Sequence, residues 1–340
     1  MTRPAKLAIA AAALCATIAP AAAAAKPTPT GSSAPAQVFF PNPVQSLGDE
    51  SLTDQKDANY PALAAAYARK TLTDLDGSGT LTGAYARVES ETGTPARNRG
   101  GGFIYTRDQD QFEQVMGYYW VTQAQRYIQS LGFGSTLPAV DKRQQLLRIN
   151  QFGGDNAFYR NGTSKLTITL GKGGVDDAED AEVIVHEYGH SVQDDQVPGF
   201  GSTLEAGSIG EAFGDYLAVT VSSAVTGNTF QEPCVADWDS TSYTAGPSHC
   251  LRRVDGTKHY PQDVRGEVHA DGEMWSAALW RARKLIGNTT LTDKVIIAAQ
   301  FGFKPDTSFR AAAQQTIATA KGYGVANQFR QAFTERGFLG

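Results

Sequence analysis

The sequence places two histidines, His186 and His190, four residues apart in a chain that has only five histidines. Residues four apart on a helix point to the same side, so both imidazoles can reach one metal ion at about 2.0–2.1 Å. A catalytic zinc ion commonly takes three protein ligands and keeps its fourth position for water. Two histidines are too few, so the spacing predicts a third donor on another element.

Glu211 is the predicted third ligand. It stands in an amphipathic segment, residues 207–218, and offers a carboxylate oxygen. Asp215 follows one turn later on the same helical face, where it can accept the free ring N–H of a ligating histidine and fix its tautomer. Either carboxylate alone would be interpreted as a solvated helix residue, but together with the two histidines they predict a metal centre.

Glu187 directly follows the first histidine and is the predicted general base. A bound zinc ion lowers the pKa of its water to about 7, and an adjacent carboxylate can take the proton and pass it to the leaving amine. The alternative is a surface glutamate on an ordinary helix. His269, just before an aromatic-rich helix, is predicted to donate a hydrogen bond to the oxyanion at the attacked carbonyl.

The hydrophobic pattern predicts the elements that must position these side chains. Helical spacing indicates helices over residues 108–131 and 177–194, and four more helices after Cys250. Residues 38–105 contain turn-formers and short alternating runs typical of strands. Strict alternation over residues 166–170 predicts a strand with one buried face.

These elements predict an α+β fold with two lobes. Residues 37–200 would form a β-rich N-terminal lobe that ends in the helix carrying the two histidines. Residues 201–340 would form a mainly helical C-terminal lobe, with the metal site between the two lobes.

Residues 1–25 have the charged start, apolar run and small-residue cleavage sites of an export signal. The apolar run is shorter than the ~20 residues that span a bilayer, which argues against a membrane anchor. Residues 26–36 lack apolar periodicity and are predicted to be a flexible linker. We therefore expect a secreted, extracellular protein.

Removal of the signal leaves Cys234 and Cys250 as an even pair in an oxidising compartment, and we predict that they form a disulfide. The net charge is −5 and no block of basic residues occurs, so neither a nucleic-acid nor a membrane partner is predicted. We expect a monomer that acts on peptides or proteins.

Three motifs resemble those of thermolysin-type gluzincins, and within them the fungalysin-like secreted metallopeptidases. They are His-Glu-Tyr-Gly-His at residues 186–190, Gly-Glu-Ala-Phe-Gly-Asp at 210–215 and Glu-Val-His-Ala-Asp-Gly-Glu-Met-Trp at 267–275. Their order and spacing both match, and the resemblance covers roughly residues 38–340. It implies a thermolysin-like fold with zinc ligands His186, His190 and Glu211, general base Glu187, Asp215 orienting His186, and His269 stabilising the transition state.

The same resemblance gives further residues a role in substrate binding. It implies that Asn156, Ala157 and Phe158 belong to an edge strand that binds the peptide backbone by β-strand addition. Arg252 resembles an arginine that contacts a substrate carbonyl, and Arg253 is nearly as good a candidate. A hydrophobic residue is implied on the leaving-group side of the cleaved bond.

The sequence departs from the thermolysin pattern at three places. Residues 200–204 offer no tyrosine between the second histidine and the third ligand, so oxyanion stabilisation would depend more on His269. Val264 stands where a carboxylate should hold His269, which leaves Asp263 or Asp271 for that role. The calcium-binding acidic set is not clearly reproduced, so a structural calcium ion is left open without support.

The sequence therefore predicts a secreted endopeptidase that uses one zinc ion and a metal-activated water. The alternative is a catalytically silent, zinc-containing peptide-binding protein, against which the presence of Glu187 and His269 speaks. A third interpretation, an exported zinc hydrolase of a non-peptide amide, is disfavoured by the predicted edge strand.

Overall fold

The computed structural model describes residues 31–90, 93–161, 166–244 and 249–339. The predicted export signal at residues 1–25 lies outside these ranges, as does the first part of the predicted linker. Within the described ranges, no helix is both long enough and apolar enough to cross a membrane.

Two sheets dominate the N-terminal half of the chain. In the first, β1 (Ser32–Phe39) pairs antiparallel with β2 (Tyr67–Leu75). The second contains β3 (Ala86–Ser90), β4 (Gln145–Ile149), β5 (Ala157–Asn161) and β6 (Leu166–Leu170). Its order is β3-β4-β6-β5, with β3, β4 and β6 parallel and β5 antiparallel to β6. The strand β5 therefore lies at the edge of this sheet.

Two predictions about strands need correction. Residues 32–36, assigned to the flexible linker, belong to β1, where Ala34 and Ala36 are buried in the core. Strand pairing uses main-chain groups, so it does not need the long apolar side chains that this segment lacks. β6 is a strand as predicted, but Thr167 and Thr169 are buried as well, so both of its faces are covered rather than one.

Eight α-helices lie in the described ranges, and the long helix and the four helices after Cys250 confirm the predicted periodicity. They are α1 (Pro43–Leu47), α2 (Gln111–Ser130), α3 (Ala181–Gln196), α4 (Leu204–Thr226), α5 (Val268–Ile286), α6 (Thr289–Gln300), α7 (Phe309–Lys321) and α8 (Ala326–Glu335). Helix α2 is buried along most of its length between the sheets and the other helices.

Helix α3 carries both metal-site histidines and begins later than predicted. Residues 177–179 form a 3-10 turn, and the helix starts after Asp180, whose side chain accepts the backbone N–H of Glu182. A carboxylate at this N-cap position satisfies a free N–H group of the first turn and interacts favourably with the helix dipole. The cap thereby fixes the residue at which α3 begins, and with it the positions of the two histidines on the helix.

The centre of the molecule is formed by α3 packed on α4, and α4 packed on α5. From α4 onward the described residues contain five helices and two very short strands, β7 (Cys234–Val235) and β8 (Arg252–Arg253). The α+β fold with a β-rich N-terminal part and a mainly helical C-terminal part is confirmed. The lobe boundary at residue 200 stays a prediction, and it falls in the connection between α3 and α4.

Candidate metal centre

Helices α3 and α4 approach closely because glycines lie where they cross. A Cβ atom added to Gly189 on α3 would lie 2.9 Å from the Cα atom of Gly214 on α4. A Cβ atom added to Gly214 would lie 2.7 Å from Nδ1 of His186. A larger residue at either position would push the backbones or the imidazole away, so the two glycines set the distance at which the helices share one site.

This close approach brings three potential metal ligands together. Nε2 of His186 lies 3.2 Å from Oε2 of Glu211, and Nε2 of His190 lies 3.6 Å from Oε1 of the same carboxylate. One ligand atom from each residue lies within 4.8 Å of the others. Donors that bind one tetrahedral ion at 2.0–2.1 Å are about 3.3 Å apart, so the residues present fit a zinc ion.

Asp215 supports the metal site through Nδ1, the second ring nitrogen of His186. Its Oδ1 lies 2.8 Å from Nδ1 of His186, and its two oxygens accept hydrogen bonds of 2.7 Å from Nε and Nη2 of Arg252. Although burial acts in the other direction, Arg252 and His186 hold the pKa of Asp215 well below its usual range. The bond to Nδ1 leaves Nε2 of His186 free to bind a metal.

The surroundings act differently on the two histidines. Burial lowers the pKa of His190 to about 4, so this imidazole is neutral and ready to bind a metal. Burial acts in the same direction on His186, but hydrogen bonds to Asp215 and Glu211 raise its pKa to about 10. Two carboxylates thus favour a positive charge at His186, and a metal cation can supply that charge in place of a proton.

Glu187 lines a cleft of about 490 Å³ together with the three potential ligands. The side chain is almost fully buried, and its Oε2 has no hydrogen-bond partner among the described residues. Burial raises the pKa of its carboxyl to about 7. A carboxyl with this pKa can accept and return a proton near neutral pH.

His269 lies in the first turn of α5, on the exposed rim of the same cleft. Its Nε2 is 3.2 Å from Oε2 of Glu211, so the structure brings it to the metal site. Its Nδ1 is 2.6 Å from Oε1 of Glu267. Glu267 is therefore the carboxylate that orients this imidazole.

Asp263 and Asp271, the two candidates that the sequence offered for this role, bind backbone groups instead. Asp263 accepts the N–H of His259, and Asp271 accepts two N–H groups of the loop before α5. Glu267 takes the role because it is the N-cap of α5, where it also accepts the backbone N–H of His269. A glutamate two residues before a histidine at a helix start is the signal that the sequence reasoning missed.

The segment predicted to bind the substrate backbone borders the metal site. Asn156, Ala157 and Phe158 all line the main cleft, and Ala157 begins the edge strand β5. A strand edge in this place can pair with an extended peptide through main-chain groups. Use of this edge by a substrate stays a prediction.

The two arginine candidates have different surroundings. Arg252 is anchored on the metal centre and lines a small cavity beside it. Arg253 pairs with Asp255 at 2.8 Å, and its side chain is 40 % exposed.

The predicted disulfide between Cys234 and Cys250 is confirmed, and it ties β7 to the segment that leads into β8. The disulfide thus tethers the strand that presents Arg252.

A second group of carboxylates, which the sequence pattern did not predict, lies near the metal centre. Asp155, Asp177 and Asp239 each place one carboxylate oxygen within 4.8 Å of the others. Asp177 lies in the 3-10 turn that precedes α3, and Asp180 is the N-cap of that helix. No spacing rule connects the three positions, because they come from three separate segments of the chain.

Comparisons with known proteins bear on both family and fold. The model of the family described as Fungalysin metallopeptidase (M36) matches residues 105–322, more than half of the chain. Curated protein sequences give no significant match. Among solved structures, the precursor of protealysin, a metalloproteinase from Serratia proteamaculans, is similar over 78% of this chain and 92% of that chain, with 16% identity and a TM-score of 0.57. This likeness concerns the fold, and with the family match it confirms the expected thermolysin-like arrangement.

Proposed function

Because the chain belongs to the fungalysin metallopeptidase family (M36), we propose that it is a secreted zinc endopeptidase with Glu187 as its general base. Family membership makes the chain a zinc metalloendopeptidase, a hydrolase that acts on peptides or proteins. One observation carries the finer proposal. The carboxylate of Glu187 is buried in the wall of the cleft next to the metal site and lacks a partner for one oxygen among the described residues.

His186, His190 and Glu211 would hold one zinc ion, because their donor atoms have the mutual distances that such an ion requires. When bound, zinc polarises a substrate carbonyl and lowers the pKa of a water molecule to about 7. Asp215 serves this site by fixing the tautomer of His186, and Arg252 serves it by keeping Asp215 ionised.

Glu187 accepts the proton of the attacking water and returns it to the amine that leaves. A pKa of about 7 suits both transfers, since the carboxyl exchanges a proton readily near neutral pH. Glu267 holds the ring of His269 through Nδ1, and Nε2 of His269 would donate to the oxyanion that forms at the carbonyl.

The substrate backbone would lie along β5, beside Asn156, Ala157 and Phe158. Pairing through main-chain groups tolerates many sequences, as an endopeptidase requires. Arg252 lies close enough to the metal centre to contact a substrate carbonyl there. Export is supported by the signal-like residues 1–25 and by a disulfide, a bond typical of oxidising compartments.

The test is Glu187→Gln, which removes the base and keeps the shape of the side chain. We expect kcat on a casein substrate to fall by about 10²–10⁴-fold, while zinc content by atomic emission stays at one ion per chain. Glu335→Gln is the matched control, since Glu335 is exposed, pairs with Arg281 and lies far from Glu187 in the sequence. Full activity of Glu187→Gln would refute the assigned base. A wild-type protein that binds zinc and peptides but cleaves none would be the silent binding protein instead.

A further inference from the structure

A small cavity of about 80 Å³ adjoins the main cleft at the metal centre. The two spaces share Asn156, Ala157, His186, Glu187 and His269 as wall residues. At roughly 10–15 Å³ for each water-sized group, the cavity has room for about five or more such groups. This is the size of one long side chain, and the entrance lies beside the proposed general base.

The walls of this cavity are acidic. Asp177 and Asp239 line it, and with Asp155 they form a cluster whose oxygens lie within 4.8 Å of one another. Oδ2 of Asp177 accepts the N–H of Gly171 at 2.7 Å, and Oδ1 of Asp155 accepts the hydroxyl of Tyr243 at 2.5 Å. We call this space the acidic cavity.

Asp239 gives an independent sign that the acidic cavity receives a ligand. Its side chain is 2 % exposed, yet Oδ1 has no hydrogen-bond partner among the described residues. Leaving such a group buried and unpaired is costly, so native proteins normally provide it with a partner. Burial and the nearby carboxylate of Asp177 raise the pKa of Asp239, which indicates a shortage of positive charge at this place.

The chain itself supplies only part of that charge: Arg252 acts to lower the pKa of Asp239, but burial and the neighbouring carboxylates outweigh it. Arg252 is the one arginine or lysine among the residues that line the acidic cavity, and its Nε and Nη2 are both bonded to Asp215. Val183, Val235 and Leu251 form an apolar part of the same wall. A ligand with a flexible apolar stem and a cationic end would match both surfaces.

We propose that the acidic cavity is a specificity subsite that takes the lysine or arginine side chain of a residue flanking the cleaved bond. The inference rests on the proposed endopeptidase function and adds its substrate class. It differs from the hydrophobic preference that the family resemblance implies, because an apolar side chain would leave Oδ1 of Asp239 buried and unpaired. A calcium ion fits less well, since it takes 6–8 oxygen ligands and two oxygens of the cluster already accept protein N–H or O–H groups.

The binding test uses zinc-loaded Glu187→Gln protein, so that peptides stay intact. Calorimetry would compare otherwise neutral hexapeptides that carry lysine or its uncharged analogue norleucine at each of the two central positions. At one position we expect the lysine peptide to bind about tenfold more tightly or better, as for a close charge pair in a partly dry site. Asp177→Asn and Asp239→Asn, each added to this protein, should remove the difference, and the exposed Asp306→Asn should keep it.

The cleavage test uses the wild-type chain on a peptide library, where lysine and arginine should be enriched at one position flanking the cut bond. Equal affinity for lysine and norleucine peptides, or a preference that survives both aspartate substitutions, would overturn the inference. Calcium that raises the Tm of the parent but not of Asp239→Asn, and that abolishes the lysine preference, would also overturn it. Cleavage without the preference refutes the subsite alone, whereas the preference without any cleavage refutes the proposed function.

Discussion

The metal centre and the acidic cavity both contain buried carboxylates, but their charges are balanced in opposite ways. In the metal centre, Asp215 is bonded to Arg252 and His186, and its pKa lies well below the usual range. In the acidic cavity, Asp239 has carboxylates as its neighbours, and burial raises its pKa. The contrast teaches that burial alone does not decide whether a carboxylate is charged: it favours the neutral form at both places, and only at Asp215 do neighbouring cations outweigh it.

The largest effect is expected where the metal centre is disturbed sterically and its charges stay the same. Gly214→Ala adds a Cβ atom at 2.7 Å from Nδ1 of His186, and this overpacking should cost about 1–3 kcal/mol of unfolding free energy and weaken zinc binding. Urea unfolding and zinc competition would measure both. Gly322→Ala is the control, because its nearest contact would be an ordinary 3.5 Å. Equal behaviour of the two variants would contradict the role given to the crossing glycines.

The next effect comes from removing charge at the metal centre. Asp215→Asn leaves His186 without its carboxylate and Arg252 without its anchor. We expect zinc affinity to fall by about 10–100-fold, measured by competition with a coloured chelator. Asp306→Asn should bind zinc like the wild type. Unchanged affinity in Asp215→Asn would show that the paired charges do not support the ligands.

Removing a charge in the acidic cavity should stabilise the protein, whereas the changes at the metal centre weaken it. Because the pKa of Asp239 is raised on folding, the native protein keeps a proton that the unfolded chain loses above about pH 4, so stability falls as the pH rises through this window. Asp239→Asn lacks this penalty and should be more stable than the wild type at pH 8 by about 1 kcal/mol, but not near pH 4. Urea unfolding in zinc-saturated, calcium-free buffer tests this.

A loss of stability in Asp239→Asn at pH 8 would mean that the carboxylate is paired in solution. The contrast between the two regions would then be wrong. Asp306→Asn, which removes an exposed charge, should show no such dependence on pH.

The smallest effect is expected on the rim of the cleft. Glu267 pairs with His269 where both side chains are about half exposed, so water already screens the pair. Glu267→Gln should lower kcat about two- to fivefold, with zinc affinity unchanged. Asp271→Asn should instead change stability, because Asp271 holds the loop before α5. A greater loss of kcat in Asp271→Asn than in Glu267→Gln would reverse this assignment.

The parts of the site that depend on short-range spacing were readable from the sequence. His186 and His190 are fixed by the period of one helix, and Glu211 and Asp215 by the period of the next. The glycines at positions 189 and 214 are visible in the sequence too, but their contact depends on how α3 and α4 cross. The periodicity of a single helix gives no information about the angle at which two helices cross.

The features that sequence reasoning missed depend on contacts between distant segments. Asp155, Asp177 and Asp239 meet only in the folded chain, and each alone resembles a loop or helix-start residue. Residues 32–36 were assigned to a linker because their place in β1 depends on the partner strand β2 rather than on their own pattern.

The crossing of α3 and α4 has a consequence for the chain as a polymer. His190 and Glu211 lie on either side of the connection between these helices, so an ion bound by both would close a loop of about 20 residues, similar in length to the loop closed by Cys234 and Cys250. The enzyme would then carry two neighbouring cross-links, one covalent and one made by coordination. Removal of the metal by a chelator should therefore weaken the contact between the two halves of the molecule. The inactive apo-enzyme should then be cleaved more readily by the molecules that still hold their metal.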